Sequence, residues 1–245
     1  MDLGLAGKVF IVTGGTDGLG LASAKELVKE GARVVISSRS NSRLEVARVE
    51  LEELGPGAVC GIAADNGAKM TGDRLVEAAF GSWGSVDGLL VSVGGPPFGT
   101  VLGTTEEDWE TSFNSIFLGA LRIVRAVVPH LPRGGAIGFV LSSSVKTPLE
   151  GLGISNGLRP GLAMAAKDLA DELGPSGIRV ISLLPGRFET ARARSDSRDR
   201  SIGVPLGRTG DPAEFGRATA FLLSPAASYV TGTAIAIDGG VTRTI

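Results

Sequence analysis

Seven short apolar, β-branched runs recur along this chain of 245 residues, with helical patterns between them. They are KVFIVTG (8–14), ARVVISS (32–38), GAVCGIAA (57–64), VDGLLVSV (86–93), GAIGFVLSS (135–143), IRVISLL (178–184) and GTAIAID (232–238). Such runs suit strands buried on both faces, as in parallel sheets. LASAKELVKEG (21–31) ends on Gly31, a glycine placed to close a helix. In 105–128, Thr105 serves as N-cap, acids fill the first turn, and Trp109, Phe113, Phe117, Leu121 and Val124 form an apolar stripe. DPAEFGRATAFLLS (211–224) opens with Asp211, Pro212 in the first turn and Glu214 completing a capping box. Strand and helix alternate without a shift in composition. The expectation is a single domain over 1–245: α/β, a Rossmann-type doubly wound parallel sheet of about seven strands with helices on both faces. Ligands in such folds bind beyond the carboxyl ends of the strands.

Bulk properties exclude several functions. The net charge is −2 with scattered Lys and Arg, which argues against nucleic acid or an anionic membrane as main partner. No apolar run of about 18 residues stands out, so no spanning helix is expected, and MDLGLAGKVF lacks the regions of a signal peptide. Cys60 is the single cysteine, which permits no internal disulfide and fits a reducing, cytoplasmic setting. His130 is the single histidine, so a metal site built from His and Cys is not expected, and neither is a Ser-His-acid triad.

TGGTDGLG (13–20) follows the first strand and opens the first helix, with Gly14, Gly18 and Gly20 spaced G-x-x-x-G-x-G. Glycines allow a tight turn and bring backbone N–H groups to a pyrophosphate at a helix N-terminus. In this strand–turn–helix context the loop points to a dinucleotide. The second strand ends in Ser38 and Arg39 rather than an acid. A guanidinium suits a 2′-phosphate, which favours NADP. Asp17 within the loop pulls towards NAD.

Further signatures coincide: Asp65 after the third strand, Asn114 within a helix, a serine cluster ending the fifth strand, LPGRFET (184–190), and PLGRTGDPAEFGRATAFLLSPAASYVTGTAIAIDGG (205–240). With the T-G-x-x-x-G-x-G loop, these resemble the short-chain dehydrogenase/reductase family, closest to its 3-oxoacyl-acyl-carrier-protein reductase-like branch. The likeness runs nearly end to end, and the closing segment is its most specific part. It implies that Gly14, Thr16, Gly18 and Leu19 cradle the pyrophosphate, and that Asp65 and Asn66 contact the adenine. Pro185, Gly186, Phe188 and Thr190 would hold the nicotinamide end. Asn114 would hold a proton-relay water. The catalytic serine would be Ser143 or Ser144; spacing from the following helix gives Ser142, whereas the motif SSV favours Ser144 and a loop 145–154 about two residues short. Residues 187–208 would form a mobile substrate lid, five arginines against three acids in 187–200 suggesting anionic ligands or a solvated loop. Family members usually assemble as tetramers through two long helices, here about 105–129 and 155–174.

The departures lie at the chemistry. The usual Asn-Asn-Ala-Gly after the fourth strand is Val91-Ser92-Val93-Gly94, with a stiff GGPP turn (94–97) at the cofactor's approach. Where the family carries Tyr-x-x-x-Lys, this chain has Ser155 and Arg159. The phenol passes a proton to the alkoxide left by hydride attack; a serine is a far weaker acid and shorter by about 6 Å of ring. Arginine stays charged and relays no proton, yet it can hold ribose hydroxyls. Tyr229 and His130 are poorly placed as substitutes, which leaves Lys146 beside the serine cluster, a water at Asn114, or Ser155 itself. Pro160 disfavours α conformation at Arg159, so the regular helix is expected to start at or after Pro160 with 155 and 159 out of register. Three functions remain open: an NADP(H)-linked oxidoreductase on a carbonyl or alcohol, with a 3-oxoacyl thioester as one candidate substrate; a non-catalytic cofactor-binding sensor or assembly subunit; and a lyase or isomerase with a structural nucleotide.

Overall fold

The computed structural model describes residues 1–191 and 201–244. Each of the seven apolar runs forms a strand: β1 Val9–Val12, β2 Arg33–Ser38, β3 Ala58–Ala63, β4 Gly88–Val91, β5 Ala136–Val140, β6 Arg179–Pro185 and β7 Thr233–Ile237. Most are a residue or two shorter at their ends than the apolar runs. All pair in parallel in one sheet, ordered β3-β2-β1-β4-β5-β6-β7. The connecting helices are α1 Gly18–Lys29, α2 Asn41–Glu52, α3 Thr71–Trp83, α4 Glu106–Ser112, α5 Gly119–Val127, α6 Gly153–Leu173 and α7 Pro212–Leu223. Leu27, Val28, Leu44, Phe215 and Leu223 cover one face of the sheet. Leu75, Ala79, Ile123, Val127 and Leu162 cover the other. The doubly wound sheet expected from the alternation is what forms. β1 lies between β2 and β4, so the chain reverses direction across the sheet there and opens a crevice at the carboxyl ends of β1 and β4.

The segment 105–128 departs from a single regular helix. Thr105 and Asp108 cap α4 reciprocally, and α5 follows only after a π-helical stretch, Phe113–Leu118. The buried row is Ser112, Ile116, Ala120, Ile123 and Val127. Of the stripe read from the sequence, Val124 is buried in the core and Phe117 and Leu121 pack against it, whereas Phe113 is 41% exposed and stacks on Phe117 at 5.3 Å. Trp109 and Phe117 lie over Gly157 and Gly161 of α6, where a β-carbon would stand 2.7 and 3.3 Å from their rings. The π turn shifts the helix face, and small residues on α6 admit the aromatics. Contrary to the sequence expectation, Glu106–His130 is long and apolar enough to cross a membrane, with mean hydropathy 1.3 over 18 residues. Its buried row packs against α3 and the sheet, as in a core helix.

α6 corrects a second expectation. It starts at Gly153, seven residues before Pro160, and runs unbroken to Leu173. Ile154, Leu158, Leu162, Ala166 and Ala170 form an i, i+4 row of buried side chains. Packing of that row outweighs the local preference of the residue before proline. Pro160 sits on the half-buried flank and removes one bond, the one its N–H would have given the Asn156 carbonyl. Ser155 and Arg159 therefore do share a helix face, and both are buried. Restoring the lost donor with Pro160→Ala is expected to raise stability by about 1–3 kcal/mol, read as an increase in Tm; an unchanged or lower Tm would show that proline is unstrained there.

Candidate functional site at the carboxyl ends of β1, β4 and β5

A buried polar clasp closes the crevice between β1 and β4. Thr13 Oγ1 donates to the Ser92 carbonyl at 2.7 Å and accepts from Ser92 N–H at 2.9 Å. Asn66 Nδ2 reaches Thr13 Oγ1 at 3.3 Å and the Ser92 carbonyl at 3.4 Å. The clasp fixes where the glycine loop leaves the sheet. Gly14 and Gly18 have φ of 57° and 53°, the left-handed region open to glycine. A β-carbon on Gly14 would stand 2.8 Å from the Ser92 carbonyl, and one on Gly20 would stand 2.3 Å from the Gly14 carbonyl. The loop closes on itself only because both lack side chains. It delivers the chain to the first turn of α1, where Leu19 and Gly20 N–H groups have no intrahelical acceptor. Asp17 caps that turn, its carboxylate accepting from Gly18 N–H at 2.7 Å. Thr190 faces Gly18 across the crevice; a β-carbon there would lie 3.5 Å from the Thr190 methyl. Thr16 and Leu19 are half-buried along the loop, and Gly94 borders open space. Glycines at the close approaches, helix N–H groups and an open margin fit a dinucleotide pyrophosphate.

Around the adenosine position, Asp65 is exposed and closes a turn by accepting from Gly67 N–H at 2.8 Å. Arg39 is exposed at the end of β2. Ser38 Oγ accepts from Ser40 N–H at 3.3 Å, and Ser40 in turn caps α2.

The reacting end is built from hydroxyls. Ser142 caps a short turn, Ser143–Val145, by accepting from Ser144 N–H at 3.1 Å. That turns Ser144 inward, and its Oγ lies 3.2 Å from Ser155 Oγ on α6. Of the serines in the cluster, Ser144 is the one the fold pairs with position 155. One turn further along, Arg159 Nη1 donates to the Val140 carbonyl at 2.5 Å. Ser144, Ser155 and Arg159 are 3%, 4% and 5% exposed. Asn156 holds the intervening loop: its Oδ1 accepts from Leu149 N–H at 3.0 Å and its Nδ2 donates to the Leu149 carbonyl at 2.8 Å. Gly99 pairs with both Gly151 and Gly153 and ties this loop to the one after β4. Sequence reasoning missed Thr13, Ser92 and Asn156. Thr13 opens the glycine motif and carried a signal; a lone asparagine such as Asn156 has none.

Other expected site residues lie elsewhere. The Asn114 side chain is exposed, donates to the Gly67 carbonyl at 3.2 Å and accepts from Arg122 Nη1 at 2.8 Å. Its carbonyl accepts from Gly119 N–H inside the π segment. These contacts brace the 65–67 turn. Lys146 is exposed at the end of the serine turn. Phe188, expected at the nicotinamide, packs its ring edge-on against Phe215 in the core, with ring centroids 5.6 Å apart. Pro185 and Gly186 do line the end of β6, and Gly186 fits because a β-carbon would meet Asp238 at 2.5 Å.

The expected lid spans 187–208, and its residues 192–200 lie outside the described residues. Its stems are pinned: Glu189 N–H and the Gly210 carbonyl pair at 3.0 Å, and Gly210 N–H and the Arg187 carbonyl at 2.9 Å. Arg208 binds Glu214 through both carboxylate oxygens at 2.8 and 2.7 Å. That guanidinium, helped by the Asp211 backbone, pulls the Glu214 carboxyl down to about 2.

Comparison with known proteins bears on the family and the fold as a whole. Residues 14–242 match the protein family described as Enoyl-(Acyl carrier protein) reductase. A rabbit (Oryctolagus cuniculus) protein, Dehydrogenase/reductase SDR family member 4, is 35% identical over 96% of this chain and 94% of its own length. The crystal structure of L-sorbose reductase from Gluconobacter frateurii, complexed with NADPH and L-sorbose, superposes with a TM-score of 0.93, at 31% identity and full coverage of both chains. The apo structure of a short-chain oxidoreductase from Pseudomonas aeruginosa PAO1 containing an atypical catalytic center superposes at 0.89, with 29% identity and full coverage of both.

Gly20→Ala tests the cradle. The added carbon forces the Gly14 carbonyl aside and misaligns the helix N–H groups, so NADPH affinity, read by nicotinamide fluorescence, is expected to fall about 10–100-fold. Unchanged affinity would place the nucleotide elsewhere.

Proposed function

The chain belongs to the short-chain dehydrogenase/reductase family, and we propose that it is an NADP(H)-linked oxidoreductase of a carbonyl/alcohol pair whose proton passes through serine hydroxyls. The observation that carries this reading is the Ser144–Ser155 pair, 3.2 Å apart beyond the carboxyl end of β5. When bound, NADP(H) supplies or takes the hydride at the carbonyl carbon. Ser144 donates a hydrogen bond to the carbonyl oxygen and stabilises the charge that develops there. Ser155 stands behind it. A serine hydroxyl is too weak an acid to give up its proton and remain an alkoxide. It can hand one proton forward while accepting another, so the pair conducts a proton that enters from water. Arg159 stays protonated and holds positive charge one helical turn behind the pair. Removing a good acid–base group typically costs about 10²–10⁴-fold, so turnover is expected to be slow for this fold.

NADP is preferred on Arg39, which can meet a 2′-phosphate. Asp17 opposes it less than the sequence suggests, because its carboxylate is engaged at the N-terminus of α1. The NADPH held by the Gluconobacter enzyme supports the same choice. A 3-oxoacyl thioester is supported as substrate by the closing segment 205–240; the family match, described for enoyl carrier-protein reductases, supports an acyl thioester but not its 3-oxo group. The sugar in the Gluconobacter complex supports polyol chemistry instead. The atypical centre of the Pseudomonas neighbour supports an active enzyme without the usual pair. The half-exposed aromatic face of α4–α5 supports assembly as a homotetramer, and the single cysteine supports a cytoplasmic setting.

A second reading, a cofactor-binding protein without turnover, is favoured by the burial of Ser144, Ser155 and Arg159. The separating experiment is a fluorescence titration with NADPH, followed by a panel of ketoses, ketones and 3-oxoacyl thioesters monitored at the nicotinamide absorbance. NADPH oxidation by any class supports the enzyme and names its substrate; binding without oxidation supports the second reading. Two variants sharpen it. Ser144→Ala is expected to lower kcat by about 10²–10³-fold with NADPH affinity unchanged, and an unaffected kcat removes the hydroxyl relay. Arg39→Ala is expected to weaken NADPH at least about tenfold and leave NADH unchanged; equal loss of both sinks the 2′-phosphate assignment.

A further inference from the structure

We propose that a second ligand site, for a small phosphate-type dianion, lies at the opposite edge of the sheet. A cavity of about 240 Å³ opens at the amino ends of β1, β5 and β6, walled by Lys8, Asp87, Arg133, Arg179 and Ser228. Three cations face one carboxylate, and that carboxylate is committed. Asp87 takes Lys8 Nζ on one oxygen and Val9 N–H on the other, both at 2.9 Å. Two positive charges remain, on Arg133 and Arg179.

Arg179 is the unusual one. It is 5% exposed, and among the described residues no carboxylate stands within ion-pair distance. Its guanidinium is held by carbonyls: Leu222 at 2.7 Å and Val230 at 3.2 Å through Nη1, and Ser224 at 2.9 Å through Nη2. Leu222 and Ser224 lie at the C-terminal end of α7, whose dipole offsets about half a charge at most. A buried guanidinium costs several kcal/mol of lost hydration unless paired, and burial draws its pKa below the ordinary value. Arg133 is exposed at the cavity mouth, with Nη2 on the Pro175 carbonyl at 3.2 Å. Ser228 adds an exposed hydroxyl to the wall. A guanidinium beneath, another at the rim and an ammonium beside them match a tetrahedral dianion, which accepts from several donors at once and supplies the two missing charges. A monocarboxylate supplies only one. The glycine loop occupies the carboxyl edge of the same sheet, so this site is separate from the proposed cofactor crevice.

The test is calorimetric titration of the intact chain with inorganic phosphate, ionic strength held constant with chloride. Phosphate held in the proposed nucleotide crevice instead is the outcome to separate, and two variants do so: Arg133→Gln at the cavity and Arg39→Gln at the crevice. The expected result is one saturable site, at least about tenfold weaker in Arg133→Gln and unchanged in Arg39→Gln. Lys8→Gln repeats the loss from the other wall. Absence of saturable binding overturns the proposal, and so does any pattern in which Arg39→Gln weakens phosphate or Arg133→Gln does not. A failure here leaves the NADPH titration untouched, since that experiment reads the other edge of the sheet.

Discussion

The clasp between Thr13 and Ser92 carries more of this molecule than any other polar contact. It joins the strands on either side of the point where the chain reverses across the sheet. In parallel sheets the strand ends diverge there, and the gap is where ligands enter. Without Thr13 the Ser92 N–H would be buried without a partner, at about 1–3 kcal/mol, and the carbonyl would keep only the longer Asn66 contact. Thr13 satisfies both with one hydroxyl, and Asn66 adds its amide from the third strand's exit turn. Three loops are thereby held in register: the glycine loop, the 65–67 turn and the segment after β4. The Ser92 carbonyl also sets the limit on Gly14, 2.8 Å from any β-carbon. The cradle's shape follows from the clasp, and the glycines are its consequence.

Much of this was legible in the sequence. Alternating apolar runs and capped helices gave seven strands in one parallel sheet, because burial on both faces leaves a continuous signal. The glycine loop was legible because strand, turn and helix stand together there. What the sequence hid depended on rotation and on distance. The aromatic stripe of 105–128 misled because a π turn changes which residues face the core; a period of 3.6 cannot reveal it. Pro160 misled because a local preference was set against a buried row that only the fold completes. The packing of the Phe188 ring on Phe215 was not readable either, since it joins positions 27 apart. Asn114 was chosen by its position in the resemblance, and the bonds of its amide to Gly67 and Arg122 depend on distances that only the fold sets.

Two arginines buried among the described residues, Arg159 on α6 and Arg179 on β6, do related work at opposite ends of the strands. Arg159 reaches from α6 to the Val140 carbonyl at the carboxyl end of β5. Arg179 gathers three carbonyls where β6 begins. A guanidinium suits such places because its donors fan out in a plane and can serve several main-chain oxygens. An ammonium at position 159 would be a mobile point charge. The guanidinium is a fixed strut, which anchors α6 to β5 while keeping its charge behind the hydroxyl pair.

The two departures at the reacting end then read as one change. A serine in place of a phenol withdraws the hydroxyl by about the length of a ring, and a lone hydroxyl at that depth would meet nothing. Here the partner has come to it. Ser144 stands 11 positions before Ser155, two fewer than the spacing that would have pointed to Ser142. The loop between them is held by the paired bonds of Asn156 to Leu149 and by the strand-like tie to Gly99. The amide clamp and the tie to Gly99 hold the loop that leaves Ser144 Oγ 3.2 Å from Ser155 Oγ, so the two hydroxyls are placed by main-chain contacts on both sides of the loop and not by their own bond alone.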